Sequence, residues 1–275
     1  MEKTRVLYIS QEIHPYLPET KMSLTGRHLP QGIQERGKEI RTFMPRYGCI
    51  NERRHQLHEV IRLSGMNMII DDGDHPLIIK VASIQPVRMQ VYFIDNEEYF
   101  QRKAVLEDEK GKMFSDNDER SIFFCRGVLE TVKKLGWTPD IVHCHGWMSA
   151  LIPLYIKKSY HDDPVFANSK VIYSIYNDAF SGGLNKNFAQ KTIYDGIESS
   201  DVQQLENPTY ANVNQIGIDY ADAVIVGDED IQSEVQQAIS SADKPVLGYQ
   251  KEEEYIDVYA EFYDEILEEN SVLVD

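Results

Sequence analysis

Residues 5–37 read RVLYISQEIHPYLPETKMSLTGRHLPQGIQERG, and the way this stretch divides decides the fold. RVLYIS is a short apolar run with the composition of a buried strand, and LPQGIQERG at its far end reads as a helix. Between them lies EIHPYLPETKMSLTGRHLP, residues 12–30. The loop between a first strand and a first helix is where α/β proteins normally hold nucleotides. This one contains no glycine-rich turn.

The same alternation continues down the chain. EIRTFMP, DIVHCHG, KVIYSIY and AVIVG read as strands covered on both faces. Helical patterns lie between or after them: DERSIFFCRGVLETVKKLG, MSALIPLYIKKSY, NVNQIGIDYA and EDIQSEVQQAI. Parallel βαβ units in a doubly wound, mostly parallel Rossmann-like sheet follow from this order. LHEVIRLSG, NMIIDDGDHPLIIKVASI and MQVYFIDN come instead as successive strands, which predicts a hairpin or meander inserted at one sheet edge. Residues 107–120 form the most polar loop, joining elements without dividing domains.

Composition narrows the class. A net charge of −17 over 275 residues argues against nucleic acid or an anionic membrane as partner, since binding phosphates draws on clustered Lys and Arg. Cys49, Cys125 and Cys144 lie far apart with no CxxC pair, which fits a reducing cytoplasm and neither a disulfide framework nor a structural zinc site. No run reaches the roughly eighteen apolar residues of a membrane span, and the opening MEKTRVLYIS has no export-signal pattern.

Residues 251–275 hold ten acidic residues against one lysine, −9 of the −17. Tyr255, Val258, Tyr259, Phe262 and Ile266 nevertheless recur at helical spacing. The expected organisation is one domain over residues 1–240, with an acidic amphipathic helix in 241–275 docked on it.

In open parallel sheets ligands bind beyond the carboxyl ends of the strands. Those ends carry Gln11-Glu12-Ile13-His14-Pro15, His145-Gly146-Trp147, Asn177-Asp178 and Asp228-Glu229-Asp230. His143 and His145, at alternate strand positions, face one side together, but no third ligand is placed, so no metal site is expected. A closed apolar pocket at these ends would instead indicate a small-molecule binding domain.

Four motifs in order resemble one family. SQEIHPYLPETKMSLTGRHLPQGIQERGKEIRTFMPRYG is similar to the amino-terminal segment of bacterial glycogen synthases and plant starch synthases, glycosyltransferases of family five with the two-domain GT-B fold. DIVHCHGWMSALIPLYIK resembles the stretch around the family's HAHDW, VIYSIYNDAFSG its TIHN segment, and YADAVIVGDEDIQSE its YADRVTTVSP segment. The resemblance covers roughly residues 5–235 and implies the acceptor-side half of a retaining glucosyltransferase acting in α-glucan metabolism.

Laid without gaps, the family's KTGGL falls on Pro18, Glu19, Thr20, Lys21 and Met22. Proline stands where the family's lysine meets the phosphates of the nucleotide sugar, and Thr20 and Lys21 replace the glycines that let backbone amides approach a diphosphate. In HCHGW the family's aspartate has become Gly146, and the TIHN histidine has become Tyr176. The resemblance makes Glu12, His145, Trp147 and Asn177 the candidates for binding glucan or maltooligosaccharide, or else residues that merely close strand ends.

After Ile239 nothing resembles the family's nucleotide-binding domain, and KPVLGYQKEEEYIDVYAEFYDEIL resembles the helix with which GT-B chains cross back onto the first domain. Two functions follow. One is transfer of glucose from ADP-glucose or UDP-glucose, given a second domain from elsewhere. The other is a non-catalytic glucan-binding or regulatory relative of a full-length synthase. Neither needs a cofactor.

Overall fold

A computed structural model describes residues 3–85 and 87–268. Its ten strands are β1 (Arg5–Ser10), β2 (Glu39–Pro45), β3 (His58–Glu59), β4 (Met66–Ile70), β5 (Gly73–Ile84), β6 (Met89–Asp95), β7 (Ile141–His145), β8 (Lys170–Ile175), β9 (Ala223–Val226) and β10 (Val246–Leu247). They form one sheet in the order β10-β9-β8-β7-β1-β2-β6-β5-β3, with β4 paired to β5 off this path. From β10 to β6 every neighbouring pair is parallel. The expected hairpin lies at the β6 edge as an extension of the sheet: β6 pairs parallel with β2 on one side and antiparallel with β5 on the other. Of the first expected strand there only His58–Glu59 is β-structure and residues 61–63 form a turn, although Val60 N and Gly65 N still donate to Ile79 O and Leu77 O of β5.

The helices are α1 (Lys21–Glu35), α2 (Glu52–His55), α3 (Glu97–Phe100), α4 (Asn117–Leu135), α5 (Leu151–Lys157), α6 (Phe188–Thr192), α7 (Tyr210–Tyr220), α8 (Ser233–Ser241) and α9 (Tyr255–Glu268). Short 3-10 turns occupy Trp147–Ser149 and Ser199–Glu206. Alternation along β1 divides the core, since Leu7 and Ile9 join the larger cluster under α4, α5 and α7 while Val6 and Tyr8 face α1 and α9. On that second face Tyr259, Phe262, Tyr263 and Ile266 of α9 pack with Leu29 and Ile33 of α1 and with Ile141, Ile172 and Ile225 of the sheet. Gly32 makes this closeness possible, because a Cβ there would stand 2.6 Å from Ile256 Cγ2.

Helix α1 corrects the reading of residues 12–30. It begins at Lys21, about two turns before Leu29, and Pro30 lies inside it. The sequence signal misled because proline usually marks a first turn; here the helix forgoes one backbone hydrogen bond at Pro30. What starts it is Thr20, whose side chain accepts from Ser23 N, while Ser23 Oγ accepts from Thr20 N.

Candidate functional site

The carboxyl ends of β1, β7 and β8 are knitted into one rim. Gln11 N donates to His145 O at 3.1 Å, and Gly146 N donates to Ser174 O at 3.2 Å. The buried Gln11 side chain accepts from Met148 N at 3.1 Å, fastening the 3-10 turn after β7 to the end of β1. Gly146 turns the chain there with φ +83°. A Cβ at Gly146 would stand 2.8 Å from Met22 Sδ and Cε. The place of the family's aspartate is therefore covered by a buried methionine of α1.

The loop before α1 is closed by its own side chains. Besides the Thr20–Ser23 capping box, Ser23 Oγ lies 2.8 Å from Pro18 O, and Thr20 Oγ1 donates to Glu12 Oε2 at 2.6 Å. A carboxylate thus sits beside the helix N-terminus, where a bound anion would be attracted by free amides and the dipole. Burial raises the Glu12 pKa and the Thr20 hydroxyl partly offsets the rise. Pro18, Glu19, Thr20 and Lys21 are exposed and Met22 is buried. Lys21 is drawn away to Tyr249, touching its hydroxyl and lying 4.0 Å above its ring centroid.

The other candidates separate by exposure. Asn177 is exposed on the rim. His145 is buried, with Nδ1 2.8 Å from Tyr176 Oη and no partner on Nε2 among the described residues. Burial pushes its pKa down to about 3. Trp147 is fully buried, its ring edge-on to Phe180 at 5.0 Å, and in this arrangement it offers a ligand no face. Only Glu12 and Asn177 reach the rim surface. His143 is bound to the helix cover, with Nδ1 2.6 Å from Tyr263 Oη and Nε2 2.6 Å from Ser174 Oγ. Among the described residues no group of three or more His, Cys, Asp or Glu is placed to hold a metal ion.

Asp178, beside Asn177 at the end of β8, is a further candidate that the sequence does little to single out. Its Oδ2 accepts from Trp147 N at 3.3 Å, and Tyr210 Oη lies 2.7 Å from its Oδ1 and 2.7 Å from Tyr176 O. Burial pushes its pKa up to about 7, and the nearby Glu12 adds to the rise. Tyr210 comes from the start of α7, a contact across thirty-two positions that no local pattern announces. The only sequence signal was an acid directly after a buried strand.

A doubly wound sheet with an open strand-end rim, covered on one face by α1 and α9, has the architecture of one Rossmann-like half of a GT-B fold. The chain belongs to the family described as starch synthase catalytic domain, whose model matches residues 5–244. It is 35% identical over 219 residues to a glycogen synthase of Chlorobium limicola, covering 79% of this chain and 44% of that protein. A glycogen synthase of Chlorobaculum tepidum is 36% identical over 221 residues, covering 80% and 45% respectively. The chain thus spans under half the length of these relatives. The fold matches the catalytic domain of Starch Synthase IV from Arabidopsis thaliana, solved bound to ADP and acarbose, with a TM-score of 0.71 at 16% identity over 91% of this chain and 52% of that one. Among the described residues no helix is long and apolar enough to cross a membrane.

Proposed function

We propose that this chain binds a neutral α-glucan at its strand-end rim, as the acceptor-side half of a glycogen- or starch-synthase-type system, and does not transfer glucose by itself. The observation that carries this is the closed loop before α1. Thr20, Ser23 and Glu12 satisfy one another where the family holds a nucleotide-sugar diphosphate, and Lys21 is engaged by Tyr249. Stabilising a departing diphosphate is among the largest contributions to such catalysis, and it requires donors aimed at the phosphates. An uncharged sugar needs none of them. Glu12 and Asn177 would meet the glucan, with Asp178 beside them and His145 and Trp147 supporting the rim from beneath. Transfer from ADP-glucose or UDP-glucose would require a nucleotide-binding half. The three free cysteines fit a reducing cytoplasm.

Co-sedimentation with glycogen tests the binding. The native chain should pellet and Asn177→Ala with Glu12→Gln should pellet less. Incorporation of labelled glucose into glycogen by the pure chain, from either nucleotide sugar, would overturn the claim that it does not act alone.

A further inference from the structure

The amino ends of β2 and β6 lie at the opposite end of the sheet from the rim. The two strands pair only from Thr42 with Val91 onward, so Ile40 and Arg41 are not matched with Met89 and Gln90. A small cavity of 160 Å³ opens in this fork, with those four residues in its wall. Gln34 of α1 and Arg88, between β5 and β6, complete the polar part of the lining.

The charge of this cavity runs against that of the chain. None of the residues lining it is acidic and two are arginines, in a protein of net charge −17. Among the described residues neither arginine forms an ion pair with a carboxylate. The acids nearest in sequence are occupied: Glu39 accepts from Trp137 Nε1 at 2.6 Å and lies 3.6 Å from Arg5 Nε, and Glu35 accepts from Gln31 Nε2 at 2.9 Å. Acidic charge elsewhere acts at longer range, where salt screens it.

Arg41 is held in place by uncharged partners. Its Nη1 donates to Tyr92 Oη at 2.9 Å, and the guanidinium carbon stands 5.1 Å from the Trp137 ring centroid and 5.9 Å from that of Tyr92. These rings stabilise a cation without neutralising it. Nε is buried with no acceptor among the described residues. With Nη1 engaged, the edge left over is Nε with Nη2, which can bind two oxygens of one anion side by side. Arg88 is exposed and left-handed at φ +55°, a turn position that glycine or asparagine fills at lower cost. Its side chain therefore brings a charge that the turn itself does not require.

Size narrows the ligand. The cavity lies below the roughly 300–1,000 Å³ of sites for drug-sized molecules, so a nucleotide sugar or an oligosaccharide is too large. We propose that the fork binds one small oxyanion, a phosphate or the phosphate group of a short ester, between Arg41 and Arg88, with the side-chain amides of Gln34 and Gln90 donating to its remaining oxygens. This site is independent of the glucan reading and shares no residue with the rim.

Isothermal titration of the full chain at constant ionic strength, with inorganic phosphate, glycerol 3-phosphate and chloride, tests it. Phosphate should bind at one site per chain, and chloride at equal concentration should not displace it. Arg88→Ser, a change at an exposed residue, should weaken phosphate binding by about fivefold or more, and so should Arg41→Lys, which keeps the charge but loses the two-pronged edge. Lys21→Ala should bind phosphate as the native chain does, which separates the fork from the loop before α1. Tighter binding of glycerol 3-phosphate than of phosphate supports the fork as a site for an ester, and the reverse order supports it as a site for the free ion. Phosphate binding that survives in both arginine variants, that is lost in Lys21→Ala alone, or that is no tighter than chloride binding overturns the inference.

Discussion

Met22 lies so close over Gly146 that a Cβ added to the glycine would stand 2.8 Å from both Sδ and Cε of the methionine. The two substitutions relative to the family pattern are one packing event. Gly146→Asp should lose about 2–4 kcal/mol in urea denaturation, from a left-handed backbone, a clash and a half-desolvated carboxylate. Combining it with Met22→Ala should recover part of the loss, with a coupling energy of about 1 kcal/mol. Simple additivity of the two variants would show that Met22 is not what excludes the aspartate.

Tyr263 anchors α9 to the sheet through the 2.6 Å contact with His143 Nδ1, both groups being buried. Tyr263→Phe keeps the ring and orphans a buried nitrogen, an error worth about 1–3 kcal/mol. Chemical denaturation should show that loss, and amide exchange should accelerate across residues 255–268 before it does in β1. Uniform acceleration, or none, would contradict the anchoring role.

His145 gives the fold an acid-sensitive element. Its pKa falls from the ordinary 6.5 to about 3 because burial disfavours the charged ring. Between those values the unfolded chain binds a proton that the folded chain refuses, so its contribution is whole above pH 6.5 and declines as pH falls toward 3. The slope is at most about 1.4 kcal/mol per pH unit. The non-titrating His145→Gln should lack this component, so the stability gap between native and variant should widen from pH 4 to 6.5 and then level off. A gap independent of pH would refute the assignment.

Asp178 runs the other way. Its pKa rises from 3.8 to about 7, so the folded state holds a proton that the unfolded state releases, and the associated stability is present below pH 3.8 and lost as pH climbs through 7. Asp178→Asn should therefore gain on the native chain as pH rises from 4.5 to 7 and hold steady above. Thermal melts across that range provide the measurement, and a native chain that gains on the variant over the same range would reverse the sign.

Much of this was readable from residues 1–275 because the strands are buried on both faces. RVLYIS, DIVHCHG, KVIYSIY and AVIVG announced themselves as apolar runs, and the tyrosine spacing of α9 announced a docked helix. Burial at the rim was harder to read. A tryptophan after a strand end has the same sequence signature whether its ring faces a ligand or Phe180, and only the turn set by Gly146 decides. The start of α1 was hidden because Thr20 and Ser23 cap each other across a stretch whose prolines suggested loop. The pairings of Lys21 with Tyr249 and of Asp178 with Tyr210 join distant segments through side chains alone, and neither local propensity nor period-two alternation records such contacts.

Residues 259–266 cover one face of the central strands, and they are made long after the strands they cover. Until α9 emerges, Val6, Tyr8, Ile141, Ile172 and Ile225 present a bare apolar surface, and His143 lacks the phenol that satisfies it. The opposite face, closed by α4, α5 and α7, can form earlier. During synthesis the protein therefore passes through a half-covered sheet whose first strand waits for α9. Truncation before Tyr255 should leave a chain prone to associate through that face rather than a smaller stable domain.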